Sequence, residues 1–257
     1  MATSGDGLSL AAANDLFVVT GGSRGIGAEV ARLAARRYPV VIVYRSDATE
    51  AGRVVDHIHA RGGRAWAIRA DVGDEASLMA AFTQIDRIGQ IGVLVNNAGI
   101  TGGMSRIEDL GVEALTEVFR INVIGAFLAA REAVRRMSTR HGGRGGTIVN
   151  LSSGAAVLGA PNTWIHYAAT KGAIDTLTIG LSKEVANEGI RVNAVRPGLV
   201  DTEMQSQRPA HLRAQMLAAI PMGRMGTAGE IAEAVLWLAS PEASYVTGTL
   251  LDVRGGL

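Results

Sequence analysis

Apolar runs of strand length alternate with longer stretches of helical period along the chain. The runs are Leu16–Thr20, Val40–Tyr44, Ala65–Arg69, Val93–Val95, Thr147–Leu151, Arg191–Val195 and Thr249–Asp252. Most are continuously apolar rather than alternating, the pattern of strands covered by helices on both faces. Between them, apolar spacing predicts helices near Gly25–Arg37, Thr49–Arg61, Glu75–Gly89, Glu113–Arg140, Tyr167–Asn187 and Ala228–Ala239. This repetition predicts an α/β fold: a doubly wound parallel sheet of about seven strands with helices on both faces. The Gly62–Gly63 and Gly142–Gly146 clusters fall where helices turn back into strands. No repeat, low-complexity tract or Pro/Ser-rich linker divides the chain, so residues 1–257 are expected to form one domain, with 1–14 as a flexible extension.

Composition narrows the function classes. The chain is 47% hydrophobic, and 25 Lys+Arg against 24 Asp+Glu leave a formal charge of +1. A disordered polyelectrolyte is excluded, and there is no basic field to hold nucleic acid or an anionic membrane. The absence of cysteine removes disulfides, thiolate zinc sites and a cysteine nucleophile. The apolar Leu8–Ala13 stretch is too short to span a membrane, so a soluble, cytoplasmic protein is expected. His57, His59, His141, His166 and His211 form no cluster of metal-ligand spacing, and no metal is expected.

Two constellations carry chemistry. The first strand runs into Thr20-Gly21-Gly22-Ser23-Arg24-Gly25-Ile26-Gly27 and then an alanine-rich helix. Glycines let the backbone turn tightly and approach a phosphate, to which a helix N-terminus presents free N–H groups and partial positive charge. Tyr167 and Lys171 lie four apart on a predicted helix, hence on one face. A neighbouring ammonium favours phenolate and lowers a tyrosine pKa from its ordinary value of about 10 toward neutrality, which suits a general acid–base.

The Gly21-x-x-x-Gly25-x-Gly27 spacing resembles that of the short-chain dehydrogenase/reductase family. The resemblance continues in order through Asp71-Val72, Asn96-Asn97-Ala98-Gly99, Asn122, Ser152-Ser153, Tyr167-Ala-Ala-Thr-Lys171 and Pro197-Gly198, covering nearly the whole chain. It implies a Rossmann-type domain similar to 3-oxoacyl-carrier-protein reductases and sugar dehydrogenases. The implied cofactor residues are Gly21, Ser23, Arg24, Gly25, Ile26 and Gly27 at the phosphates, and Asp71 and Val72 at the adenine. Asn97, Ala98 and Gly99 follow along the cofactor, with Tyr167, Lys171, Pro197, Gly198, Val200 and Thr202 at the nicotinamide end. Asn122, Ser153, Tyr167 and Lys171 are the implied catalytic set: Ser153 orients a carbonyl, Tyr167 transfers the proton, Lys171 tunes it, and Asn122 helps hold a relay water. Asn122 also suits a helix-packing hydrogen bond. The 14-residue separation of Ser153 from Tyr167 is longer than in many family members, with Ser152 as the alternative serine.

An acid at the end of the second strand would accept from the ribose 2′-hydroxyl of NAD and repel the 2′-phosphate of NADP. Here that strand ends Val43-Tyr44-Arg45-Ser46, so Arg45 and Arg24 favour NADP(H), while nearby Asp47 keeps NAD(H) open. The expected function is NADP(H)-dependent hydride transfer between the nicotinamide and a carbonyl or secondary alcohol. The alternative is a non-catalytic NADP(H)-binding regulatory or interaction protein, against which the intact catalytic set weighs. Residues 201–226, with Met204, Met216, Met222 and Met225, are expected to cover a small-molecule substrate. The C-terminal Tyr245–Gly248 and Leu250–Val253 segments resemble the family's subunit-contact region, which implies a homotetramer.

Overall fold

A computed structural model describes residues 15–203 and 210–257. The expected extension 1–14 lies outside the described residues, as do Met204 and the rest of 204–209. Seven strands form one sheet: β1 (Leu16–Thr20), β2 (Val40–Tyr44), β3 (Ala65–Arg69), β4 (Ile91–Asn96), β5 (Gly146–Leu151), β6 (Ile190–Pro197) and β7 (Leu250–Val253). All neighbours pair in parallel, in the order β3-β2-β1-β4-β5-β6-β7. The chain reverses its direction of travel across the sheet between β1 and β4, so connections leaving their carboxyl ends part to opposite sides and open a crevice.

The continuous apolar runs are explained by two cores. Phe17 and Val19 of β1, with Val40 and Ile42 of β2, meet α1 (Gly25–Ala34), α2 (Ala48–His59) and the late helix α9 (Ala228–Ala239). Leu16, Val18, Val41 and Val43 point the other way, into Phe82 and Ile85 of α3 (Glu75–Ile88) and Ala129 and Ala133 of α5 (Gly125–Met137). Each buried branched side chain contributes roughly 1.5–3 kcal/mol. The small face of α1 (Gly27, Ala28, Ala31, Ala34) lets it pack closely on α9. Asp47 and Asp74 cap α2 and α3 by accepting from the Glu50 and Ser77 amides, and Thr227 and Glu230 form a capping box on α9.

The long helix expected over Glu113–Arg140 is instead divided. Helix α4 (Val112–Phe119) passes through a π turn at Arg120–Ile124 into α5, and a 3₁₀ turn, Thr139–His141, follows. Apolar periodicity does not register a single inserted residue, whereas tertiary bonding does: the buried Asn122 amide inside the π turn is taken by the Ile100 backbone and Thr170. Helix α7 spans Ile165–Val185. Two helices were not expected: α6 (Ala155–Leu158) and α8 (Ala210–Ala218). After α6, Gly159, Ala160 and Asn162 adopt left-handed φ values of 77°, 45° and 59°, folding the long Ser153–Tyr167 interval back toward the sheet.

Arg191 on β6 is a buried cation held by carbonyls and a hydroxyl, with no carboxylate among its described partners. It donates to the carbonyl oxygens of Leu238 (2.8 Å), Ser240 (3.1 Å) and Val246 (3.3 Å) and to Thr147 Oγ1 (2.9 Å). The cation thus closes the carboxyl end of α9, where helix carbonyls concentrate negative potential. Replacing Arg191 with Leu strands these buried acceptors, and the expected loss is about 3 kcal/mol or more of unfolding free energy in urea titrations. A loss under about 1 kcal/mol would mean that water replaces the guanidinium.

Candidate functional site

The crevice at the carboxyl edge of β1 through β6 is a cavity of about 920 Å³. Its floor begins at the glycine turn. Gly21 (φ 65°) and Gly25 (φ 55°) take left-handed backbone, and a Cβ on Gly21 would stand 2.8 Å from the Ala98 Cα. Arg24 caps α1 with backbone alone: no side chain accepts its first amides, and no acid lies in its first turn. A cradle with free helix-terminal N–H groups fits a dinucleotide pyrophosphate. Ser23, Arg24 and Ile26 also line the cavity, but Gly27 does not. Gly27 instead lets α1 approach Asn97, with whose amide a Cβ would collide.

Thr20 and Asn97 bind the two sides of the crevice together. Thr20 Oγ1 accepts from the Asn97 and Ala98 amides at 3.0 and 3.1 Å, and Asn97 Nδ2 donates to the Thr20 and Gly21 carbonyls at 2.9 Å each. Asn97, expected along the cofactor, lines the cavity beside Ala98 and Gly99 while its amide braces the glycine turn. The motif gives Thr20 no role of its own, because its partner Asn97 at the end of β4 lies 77 residues further along the chain.

At the other end, Arg45, Asp71 and Val72 line the cavity. Asp47 lies there too, its carboxylate engaged as the α2 cap. Arg45 Nη1 is 3.3 Å from Glu117 Oε1; Glu117 in turn accepts from Arg120 Nε (2.7 Å) and Nη2 (2.9 Å). Arg120 Nη2 reaches Asp71 Oδ2 at 3.0 Å. Burial alone would push the Asp71 carboxyl up, but the Arg120 bond and the Gly73 amide hold it below the usual carboxylate range. Arg24, largely exposed, pairs with Glu203 at 3.6 Å. Glu117 and Arg120 escaped sequence reasoning because they sit over 70 residues from Arg45 in the chain.

The expected catalytic groups divide. Tyr167, Lys171 and Ser153 line the cavity. Lys171 Nζ lies 5.5 Å from the Tyr167 ring centroid and donates to the Leu151 carbonyl at 2.6 Å. Full burial pulls its pKa down to about 8, opposed in part by the Asp175 carboxylate. Ser153 Oγ accepts from the Ala155 amide at 3.1 Å, which leaves its O–H able to donate; Ser152 Oγ is spent on the Lys171 carbonyl. Asn122 does not line the cavity. Its side chain accepts from the Ile100 amide (2.8 Å) and donates to the Ile100 carbonyl (2.8 Å) and Thr170 Oγ1 (3.0 Å), the packing role.

Pro197, Gly198, Val200 and Thr202 enter from β6. Gly198 is required by packing as much as by any ligand, since a Cβ there would lie 2.8 Å from the Arg254 Cα. Val200 bridges Gly226, fastening the start of the 201–226 segment across to its end. Beyond the expected catalytic groups the lining includes the apolar Leu158, Pro161, Trp164, Leu212 and Met216.

A family model described as Enoyl-(Acyl carrier protein) reductase matches residues 21–257. An uncharacterised oxidoreductase of Escherichia coli (strain K12) is 48% identical over 244 residues, 94% of this chain and 99% of the relative. A short chain dehydrogenase from Burkholderia cenocepacia J2315, solved in complex with NADP, is 34% identical with a TM-score of 0.88, covering 96% of this chain and 99% of that one. A 3-oxoacyl-[acyl-carrier protein] reductase from Brucella melitensis, with bound NAD, is 34% identical with a TM-score of 0.85, covering 95% and 90%. Sheet order, glycine turn and similarity over nearly the full length agree: the chain belongs to the short-chain dehydrogenase/reductase family of nicotinamide-dependent oxidoreductases.

Proposed function

We propose that this oxidoreductase transfers a hydride between NADP(H) and a carbonyl or secondary-alcohol substrate, with Tyr167 as general acid–base. The observation that carries the reading is that Tyr167, Lys171 and Ser153 all line the cavity into which the glycine turn opens, with Lys171 Nζ 5.5 Å from the Tyr167 ring centroid. The nicotinamide, when bound, supplies or accepts the hydride. In reduction, Ser153 donates to the carbonyl oxygen and Tyr167 delivers its phenolic proton to that oxygen as negative charge develops. The Lys171 ammonium favours the resulting phenolate. Asn122 acts at one remove, by holding Ile100 and the π turn against α7. Alcohol oxidation uses the same groups in reverse.

Gly21, Ser23, Gly25 and Ile26 would hold the pyrophosphate, Asp71 and Val72 the adenine, and Ala98, Gly99, Pro197, Gly198, Val200 and Thr202 the nicotinamide half. Arg45, with Arg24, would take the 2′-phosphate; the engagement of Asp47 as a helix cap supports NADP(H) over NAD(H). Leu212, Gln215 and Met216, from the 201–226 segment, support its role as a substrate cover. A homotetramer is supported by the family resemblance and by the exposed apolar side chains of Ile124, Phe127 and Ile179.

Tyr167→Phe is expected to lower kcat by about 100-fold or more while the NADPH dissociation constant stays within about twofold. Retained turnover would sink the assignment. A second expectation concerns Lys171, whose folded-state pKa of about 8 lies below the ordinary 10.5. Below pH 8 the buried ammonium carries its full desolvation penalty, which is relieved as pH rises from about 8 to 10.5. Urea titrations should show wild type gaining about 3 kcal/mol on Lys171→Met between pH 7 and pH 10.5. A flat difference would mean that the ammonium is solvated. For the assembly, Phe127→Glu should move the protein to a smaller species in sedimentation velocity, and an unchanged mass would remove this face from the interface.

A further inference from the structure

Arg45 stands at the place where a 2′-phosphate would be held, yet it does not stand alone. It is the outer end of a charge chain that runs Arg45, Glu117, Arg120, Asp71 across the adenine end of the cavity. Glu117 belongs to α4, an element that carries none of the expected cofactor residues. Its two oxygens serve Arg120 at 2.7 and 2.9 Å, and Oε1 also reaches Arg45 at 3.3 Å. Arg120 is fixed in turn by Asp71, and by Gly73, on which its guanidinium lies so closely that a Cβ would collide. Arg69 Nε donates to the Arg45 carbonyl at 3.1 Å, bringing a third cation beside the pair.

The two carboxylates play different parts. Asp71 faces the cavity, and Arg120 neutralises it. Glu117, on α4 and not among the lining residues, holds the Arg45 guanidinium at 3.3 Å and so keeps a negative charge beside the group read as the phosphate ligand. A 2′-phosphate of about two negative charges must therefore compete with Glu117 for Arg45 and bear its repulsion, whereas a 2′-hydroxyl meets neither cost. We propose that Glu117 is a specificity-determining residue that moderates the preference for a 2′-phosphorylated cofactor by competing for Arg45. The inference rests on the reading of Arg45 as the 2′-phosphate ligand.

The test is direct binding to the resting protein, with 2′,5′-ADP and 5′-AMP as probes in isothermal titration calorimetry. Glu117→Gln keeps the shape and a hydrogen-bonding partner for Arg120 while removing the charge. It should tighten 2′,5′-ADP by about five- to tenfold at low salt and leave 5′-AMP within about twofold. The gain should shrink in 0.5 M NaCl, where the Debye length falls to about 4 Å, and should vanish in the Arg45→Ser background. An unchanged ratio of the two affinities, equal weakening of both probes, or selective weakening of 2′,5′-ADP would overturn the proposal, the last two because they assign Glu117 to ordering the site. Arg45→Ser alone separates the two readings. If it fails to weaken 2′,5′-ADP, the assignment of Arg45 falls and the role of Glu117 with it; if it weakens 2′,5′-ADP but Glu117→Gln has no effect, only the role of Glu117 falls.

Discussion

The lock between Thr20 and Asn97 is the constraint on which the rest of the site depends. A doubly wound sheet opens where its strand order reverses, and the same reversal leaves the carboxyl ends of β1 and β4 without a shared connection. Thr20 Oγ1 and the Asn97 amide close that gap through four hydrogen bonds, two on each side chain. These bonds hold the glycine turn at one height above the sheet. Gly27 is small because α1 must descend onto the same Asn97, so the phosphate cradle and the brace beneath it are one packed unit.

A second consequence concerns where stability is spent. Lys171 is buried beside Tyr167 with a backbone carbonyl as its hydrogen-bond acceptor, and its proton is held less tightly than in water. Such a group is costly to the fold and useful to a neighbouring phenol, since its charge acts through a medium that screens it poorly. The π turn serves the same end: its buried Asn122 ties the Ile100 loop to Thr170 on α7, one residue from Lys171. Among the described residues, the non-glycine positions with left-handed φ, Ala160 and Asn162, fall in the same quarter, Ala160 on the cavity wall.

The two ends of the cavity obey different electrostatics. Around Tyr167 the charges are few and buried, so small displacements have large effects. Around Arg45 they are many, paired and half exposed, and each exposed pair contributes little to stability because water and salt screen it. Under the proposed cofactor reading their effect falls on a ligand that brings two further charges, so that end serves discrimination rather than fold stability.

Periodicity alone determined the layered α/β architecture, because a strand buried on both faces must be apolar at every position; β1 and β2 lie within their expected limits, as does the edge strand β3 with its exposed Trp66, Ala67 and Arg69. Motif order likewise put Gly21, Asp71, Asn97, Ser153 and Gly198 at the sheet's carboxyl edge, since each of them follows a strand. Tyr167 and Lys171 share a face because helical spacing requires it. Three things were decided only by tertiary structure. The division of the Glu113–Arg140 stretch arose from bonds that Asn122 makes to residues 22 and 48 positions away. Gly27 and Gly198 proved to be packing requirements, visible only once Asn97 and Arg254 stood against them. Arg45 acquired a carboxylate partner from α4, which no local pattern signals, because a charge pair has no period and its partners are set by which elements the fold brings side by side.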